Sequence, residues 1–65
     1  MSRAELRALF DAHAAALYEF VSAFADAPEP IVEEVFVRAA AERIPEGASP
    51  RVYLLKLAWQ AIRPD

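Results

Sequence analysis

The sequence predicts an all-α domain of three helices. Five prolines, at positions 28, 30, 45, 50 and 64, divide the chain into three proline-free stretches, and proline is the residue that a helix interior tolerates least. Apolar residues recur at three-and-four spacing within the first two stretches, the third is apolar over most of a helical circumference, and no segment alternates at the period of a strand.

Helix 1 is expected over residues 3–25. Ser2 followed by Glu5 matches a capping box, in which the hydroxyl takes an orphan amide and the carboxylate reaches back to the cap. Leu6, Leu9, Phe10, His13, Leu17, Phe20, Val21 and Phe24 form one stripe that the spacing marks for burial. Asp26 to Pro30 then reads as a linker, because the residue before each proline is pushed out of the helical region. Helix 2 follows over 30–43, with Pro30 at its first position. Val32, Val35, Phe36, Ala39 and Ala40 share one arc, while Glu33, Glu34, Val37, Arg38 and Ala41 share the other, at roughly 100° per residue. Val37 is the exception on that wet arc. Ile44 to Ala48 reads as a turn around the single glycine, Gly47, and Ser49-Pro50 as a cap with a first-turn proline, so helix 3 is expected over 50–63. Only Lys56, Gln60 and Arg63 make a polar strip on helix 3, flanked by Tyr53 on one side and by Val52 and Trp59 on the other.

Composition narrows the function classes. With 65 residues, the chain is one domain at most, and a domain of this size buries only about 60% of the surface its unfolded form exposes, so cover from a larger body is expected. No cysteine is present, which removes disulfides and thiolate metal sites. The apolar runs fall short of the roughly 18 residues that cross a bilayer, and the charged start Met1-Ser2-Arg3-Ala4-Glu5 is unlike a secretory leader, so a cytoplasmic protein without a membrane partner is expected. The formal net charge is −3, and it is unevenly spread: residues 1–47 hold four basic and nine acidic groups, whereas residues 48–65 hold three and one. Two different surfaces follow from that asymmetry.

Covalent chemistry finds no support. His13 lies inside the helix-1 stripe, where a structural histidine is the default. Ser2 and Ser49 are spent as caps, and Ser22 has no neighbouring base, so no nucleophile, base and orienting group can be assembled. Glu33 and Glu34 are adjacent, which sends their side chains about 100° apart on a helix and keeps them from sharing a proton or a metal. The lone Gly47 rules out a glycine-rich phosphate loop. The expectation is a binding protein, not an enzyme, with no cofactor.

Two runs carry a resemblance. Leu9 to Phe20 followed by Ile31-Val32-Glu33-Glu34-Val35-Phe36-Val37-Arg38-Ala39 resembles region 2 of bacterial RNA polymerase sigma factors of the extracytoplasmic-function type, in which a "hydrophobic-Val-Gln-Glu-Val/Thr-Phe-hydrophobic-Arg-Ala" run docks on the polymerase clamp. Tyr53-Leu54-Leu55-Lys56-Leu57-Ala58-Trp59-Gln60 is similar to the family's "Trp-Leu-x-x-Ile-Ala-Arg-Asn" run on the helix that reads and opens the promoter's minus-ten element. The resemblance implies that helix 2 presents Glu33, Glu34, Val37 and Arg38 to core RNA polymerase. It implies that helix 3 presents Tyr53, Lys56, Trp59, Gln60 and Arg63 toward promoter DNA, and only within a complex with polymerase. Glu33 stands where the family has Gln, and Trp59-Gln60 stands where it has Arg-Asn, which loses a charge on the DNA side.

Three readings therefore stand together. A sigma-like domain takes part in initiation; a degenerate relative acts as a decoy that binds an anti-sigma protein or polymerase without opening a promoter; or the chain is a small homodimer closed through helix 3. Lys56 and Arg63 offer too few phosphate contacts for unaided duplex binding. Tyr53 and Trp59 either stack on unpaired bases, at roughly 1 to 3 kcal/mol per base, or belong to the core, as aromatics at helical spacing commonly do.

Overall fold

A computed structural model describes residues 2–63 and folds them into α1 (Arg3–Ser22), α2 (Pro28–Glu42) and α3 (Pro50–Ile62), with no strand among the described residues. The capping box forms as expected. The Ser2 amide donates to Glu5 Oε1 at 2.9 Å, and the Glu5 amide donates to Ser2 Oγ at 3.1 Å. These bonds satisfy two donors that the start of a helix leaves orphaned. The backbone bond to the Glu5 carboxylate, followed by the bond to the Ser2 hydroxyl, holds its pKa below the ordinary value.

The ends of the helices differ from expectation by a few residues, for local reasons. α1 stops at Ser22 instead of continuing to Ala25: the Phe24 amide takes the Val21 carbonyl three residues back at 2.9 Å, a tightened last turn, and shares that carbonyl with the Ala25 amide. α2 starts at Pro28 rather than Pro30 and ends at Glu42. Pro28 and Pro30 both fall in its first turn, where amides have no intrahelical acceptor, so neither ring costs a hydrogen bond, and Glu29 between them is drawn into the helix. α3 closes at Ile62, one residue early, with the Arg63 amide donating to the Trp59 carbonyl at 3.0 Å. Its start is as expected: Ser49 Oγ accepts from the Val52 amide at 3.4 Å, and Pro50 opens the helix. Between α2 and α3 the Ala48 amide bonds the Pro45 carbonyl at 3.1 Å across Gly47, whose φ of 84° is the left-handed conformation that suits glycine.

Each helix packs on both others. The core is Leu17 and Val21 from α1, Val32, Val35, Phe36 and Ala39 from α2, and Leu54, Leu57 and Ala58 from α3. No polar side chain is buried among the described residues. The arc assigned to the inside of helix 2 is the buried one, with Ala40 at its half-exposed edge. Along α1 the stripe is buried unevenly. Leu17 and Val21 are sealed, Leu6, Leu9, His13 and Phe20 are half-buried, and Phe10 and Phe24 are exposed. The cause is a mismatch of lengths. α3 accompanies only the second half of α1, from an Arg51 to His13 hydrogen bond to a Trp59 to Phe24 ring contact. The first half has α2 as its main cover, through Phe10 against Phe36 at 4.9 Å.

Candidate functional site

Val37 projects from α2 into solvent, 63% exposed, beside the exposed Glu33 and Glu34. Its direction follows from phase. Val35, Phe36 and Ala39 point inward, and a step of roughly 100° from Phe36 carries Val37 past the α1 side of the bundle. There it helps to form an open groove of about 500 Å³ between α1 and α2. Leu6, Phe10 and Phe36 make the floor of the groove, Arg3 and Arg7 its α1 lip, and Glu33 and Val37 its α2 lip. Arg7 reaches Asp11 one turn along at 3.8 Å, both side chains being mostly exposed, so its charge stays available to other groups. Sequence reasoning placed Leu6 and Phe10 in the stripe marked for burial and gave Arg3 and Arg7 no part in a site. The available signal was the unequal lengths of helices 1 and 3, which leave one end of an apolar stripe with a single neighbour.

The four residues expected to dock a partner do not all share one surface. Glu33 and Val37 face the groove, and Glu34 is exposed beside them. Arg38 turns the other way: its Nε donates to Glu42 Oε2 at 3.3 Å, while the Tyr53 hydroxyl donates to Glu42 Oε1 at 3.1 Å. Glu42 thereby ties the end of α2 to the start of α3. Partial burial and the neighbouring Glu42 carboxylate raise the Tyr53 pKa above its ordinary value.

That bond also separates Tyr53 from the rest of the nucleic-acid candidates. Lys56, Trp59 and Gln60 come together with Val52 and Leu55 around a shallower hollow of about 350 Å³ on the outer side of α3. The Trp59 ring, 39% exposed, meets Phe24 edge-on at 5.4 Å and Phe20 at 6.4 Å, and the Arg63 guanidinium lies 5.7 Å from its centroid. Phe24 is itself 54% exposed. The outer face of α3 is thus an aromatic ridge with two cations, braced from behind by the end of α1.

His13 is engaged on the opposite edge of α3. Arg51 Nε donates to His13 Nδ1 at 3.3 Å, and Arg51 Nη2 donates to the Ala12 carbonyl at 3.5 Å. Among the described residues no group of three or more His, Asp or Glu side chains is placed to hold a metal ion, and no helix is long and apolar enough to cross a membrane.

Fold and surfaces together define a small three-helix domain with two separate exposed apolar faces. No protein-family model, no curated protein and no solved structure matches the chain.

Proposed function

We propose that this domain works by binding rather than catalysis, as a relative of sigma factor region 2 that docks on core RNA polymerase through α2. The carrying observation is the outward Val37, 63% exposed between Glu33 and a groove floored by Leu6, Phe10 and Phe36. A contiguous apolar surface with charged lips suits a protein partner, because its anchor is desolvated on docking while the rim charges set register. The resemblance of Ile31 to Ala39 to the family's clamp-docking run supplies the choice of partner. Capture of core polymerase by the whole chain tests it: wild type is retained, and Val37→Glu is lost. No retention of wild type removes the proposal.

The decoy form of this reading draws support from α3. The Tyr53 hydroxyl is committed to Glu42, the Trp59 ring packs against Phe20 and Phe24 with the Arg63 guanidinium 5.7 Å from its centroid, and among the described residues Lys56 and Arg63 are the two cations of the ridge. Polymerase capture without promoter melting, followed by permanganate footprinting, is the outcome this form expects. Melting at the minus-ten element reverses it in favour of an initiation factor, and in the cell either form is expected in the cytoplasm.

A further inference from the structure

The groove between α1 and α2 has lips of opposite sign: Arg3 and Arg7 on α1, Glu33 on α2. Its exposed apolar members are Phe10 on the floor, at 39% exposure, and Val37 on the α2 lip, at 63%. Such a surface is complementary to itself. A two-fold axis lying along the groove lays each α1 lip on the partner's α2 lip, so arginine meets glutamate twice and the apolar strips meet between them. A rotation about any other in-plane direction loses that match.

Size sets the strength. The groove runs along α1 from Arg3 to Phe10, about 12 Å of helix, and two packed helices are about 20 Å wide. The face over it is then on the order of 250 Å² per protomer, well below the standard size of a stable complex, so the association is weak. We propose that a second copy of this chain covers the α1–α2 groove, forming a weak, reversible, two-fold symmetric dimer in which Arg7 of each protomer faces Glu33 of the other. The dimer goes beyond the polymerase reading and does not depend on it. Its consequence does rest on that reading: self-association hides Val37, so the dimer and a docked partner compete for one surface.

The test is sedimentation of the whole chain from micromolar to millimolar concentration, with circular dichroism confirming that each variant is helical. Wild type is expected to follow a monomer–dimer equilibrium. Arg7→Glu alone and Glu33→Arg alone each weaken it by about tenfold or more, because like charges now face across the interface. Mixing the two variants restores association, since each supplies the charge the other needs in trans, an outcome that altered folding of either variant cannot produce. A wild-type monomer at every concentration overturns the proposal, as does growth beyond a dimer, and as does failure of the mixture to associate more tightly than its components. Val37→Ser, which adds no charge, also weakens the dimer, and an unchanged constant counts against the proposed interface. These results are independent of polymerase capture, so loss of one proposal leaves the other standing.

Discussion

The two exposed apolar faces of this domain are built on different principles. On the α1–α2 face Val37, Arg3, Arg7 and Glu33 are exposed by helical phase, with Arg7 weakly paired to Asp11 at 3.8 Å, while Phe10 between them packs on Phe36. On the outer face of α3, Trp59 is half of a structural contact, since the ring that solvent sees also closes the end of α1 through Phe20 and Phe24. The lips of the first surface, Val37 and its charged neighbours, are separable from the fold, and the Trp59 ring of the second is not. A binding face of the first kind can change its residues without loss of structure, whereas one of the second kind is constrained by both roles at once.

The sharpest way to break that contrast is Trp59→Ala. Removing a fully buried tryptophan costs about 3 to 5 kcal/mol, and partial exposure reduces the expectation here to about 2 kcal/mol. For a chain of this length such a loss lowers Tm by about 10 °C, and calorimetry reads it. A variant as stable as wild type makes the aromatic ridge mere decoration and ends the distinction between the faces.

Ser2→Ala probes the other side. Losing the cap costs about 1 kcal/mol, concentrated in the first turn of α1, which carries Arg3 and leads to Leu6 and Arg7. Hydrogen exchange of amides 5 to 8 should quicken while Trp59 fluorescence stays unchanged. Uniform loss of protection through α3 contradicts the local picture. Acid acts on the same turn. Because the folded-state pKa of Glu5 is depressed, its contribution is present above the unfolded carboxylate value and is lost as pH falls through the lowered folded value. Exchange at the start of α1 should therefore rise in that acid window, ahead of α3, and Glu5→Gln should remove the pH dependence.

Tyr53→Phe is expected to have a smaller effect. It deletes the donor to an exposed Glu42 and leaves the ring in place, so stability falls slightly and the Arg38 to Glu42 pair survives. Alkaline titration gives the matching sign: with its folded pKa raised, Tyr53 favours the native state up to the unfolded phenol value, and that preference disappears as pH rises through the folded one. Loss of a phenolate absorbance step above pH 10.0, the ordinary value, identifies the residue.

Val37→Glu should change stability least, within about 0.5 kcal/mol, because an exposed helix position loses no packing and glutamate is the better helix former. The same variant abolishes both proposed associations. A large drop in Tm would show that the side chain is needed inside its own protomer, and the two faces would then be alike.

Much of this was legible from residue order. The Ser2 and Ser49 caps, the first-turn Pro50 and the buried arc of α2 each rest on interactions within four residues, and all four are present. The outward direction of Val37 follows from the same local phase. What the chain did not announce is tertiary. Phe10 and Phe24 satisfy the α1 periodicity as well as Leu17 does, yet their exposure depends on how far α3 extends beside them. Arg38 and Val37 are neighbours in sequence, but the carboxylate of Glu42 draws one toward α3 while the other borders α1. Tyr53 is taken from its expected companions by that same carboxylate.

Arg43 closes α2 with φ of 64°, a backbone shape that glycine adopts without penalty and arginine does not. Its positive charge adds the smallest share to the lowered pKa of Glu5, behind the two Ser2 bonds. The terminus of α2 and the origin of α1 therefore lie within reach of each other's fields, so a charge change at residue 43 bears on the acid response of the capping box.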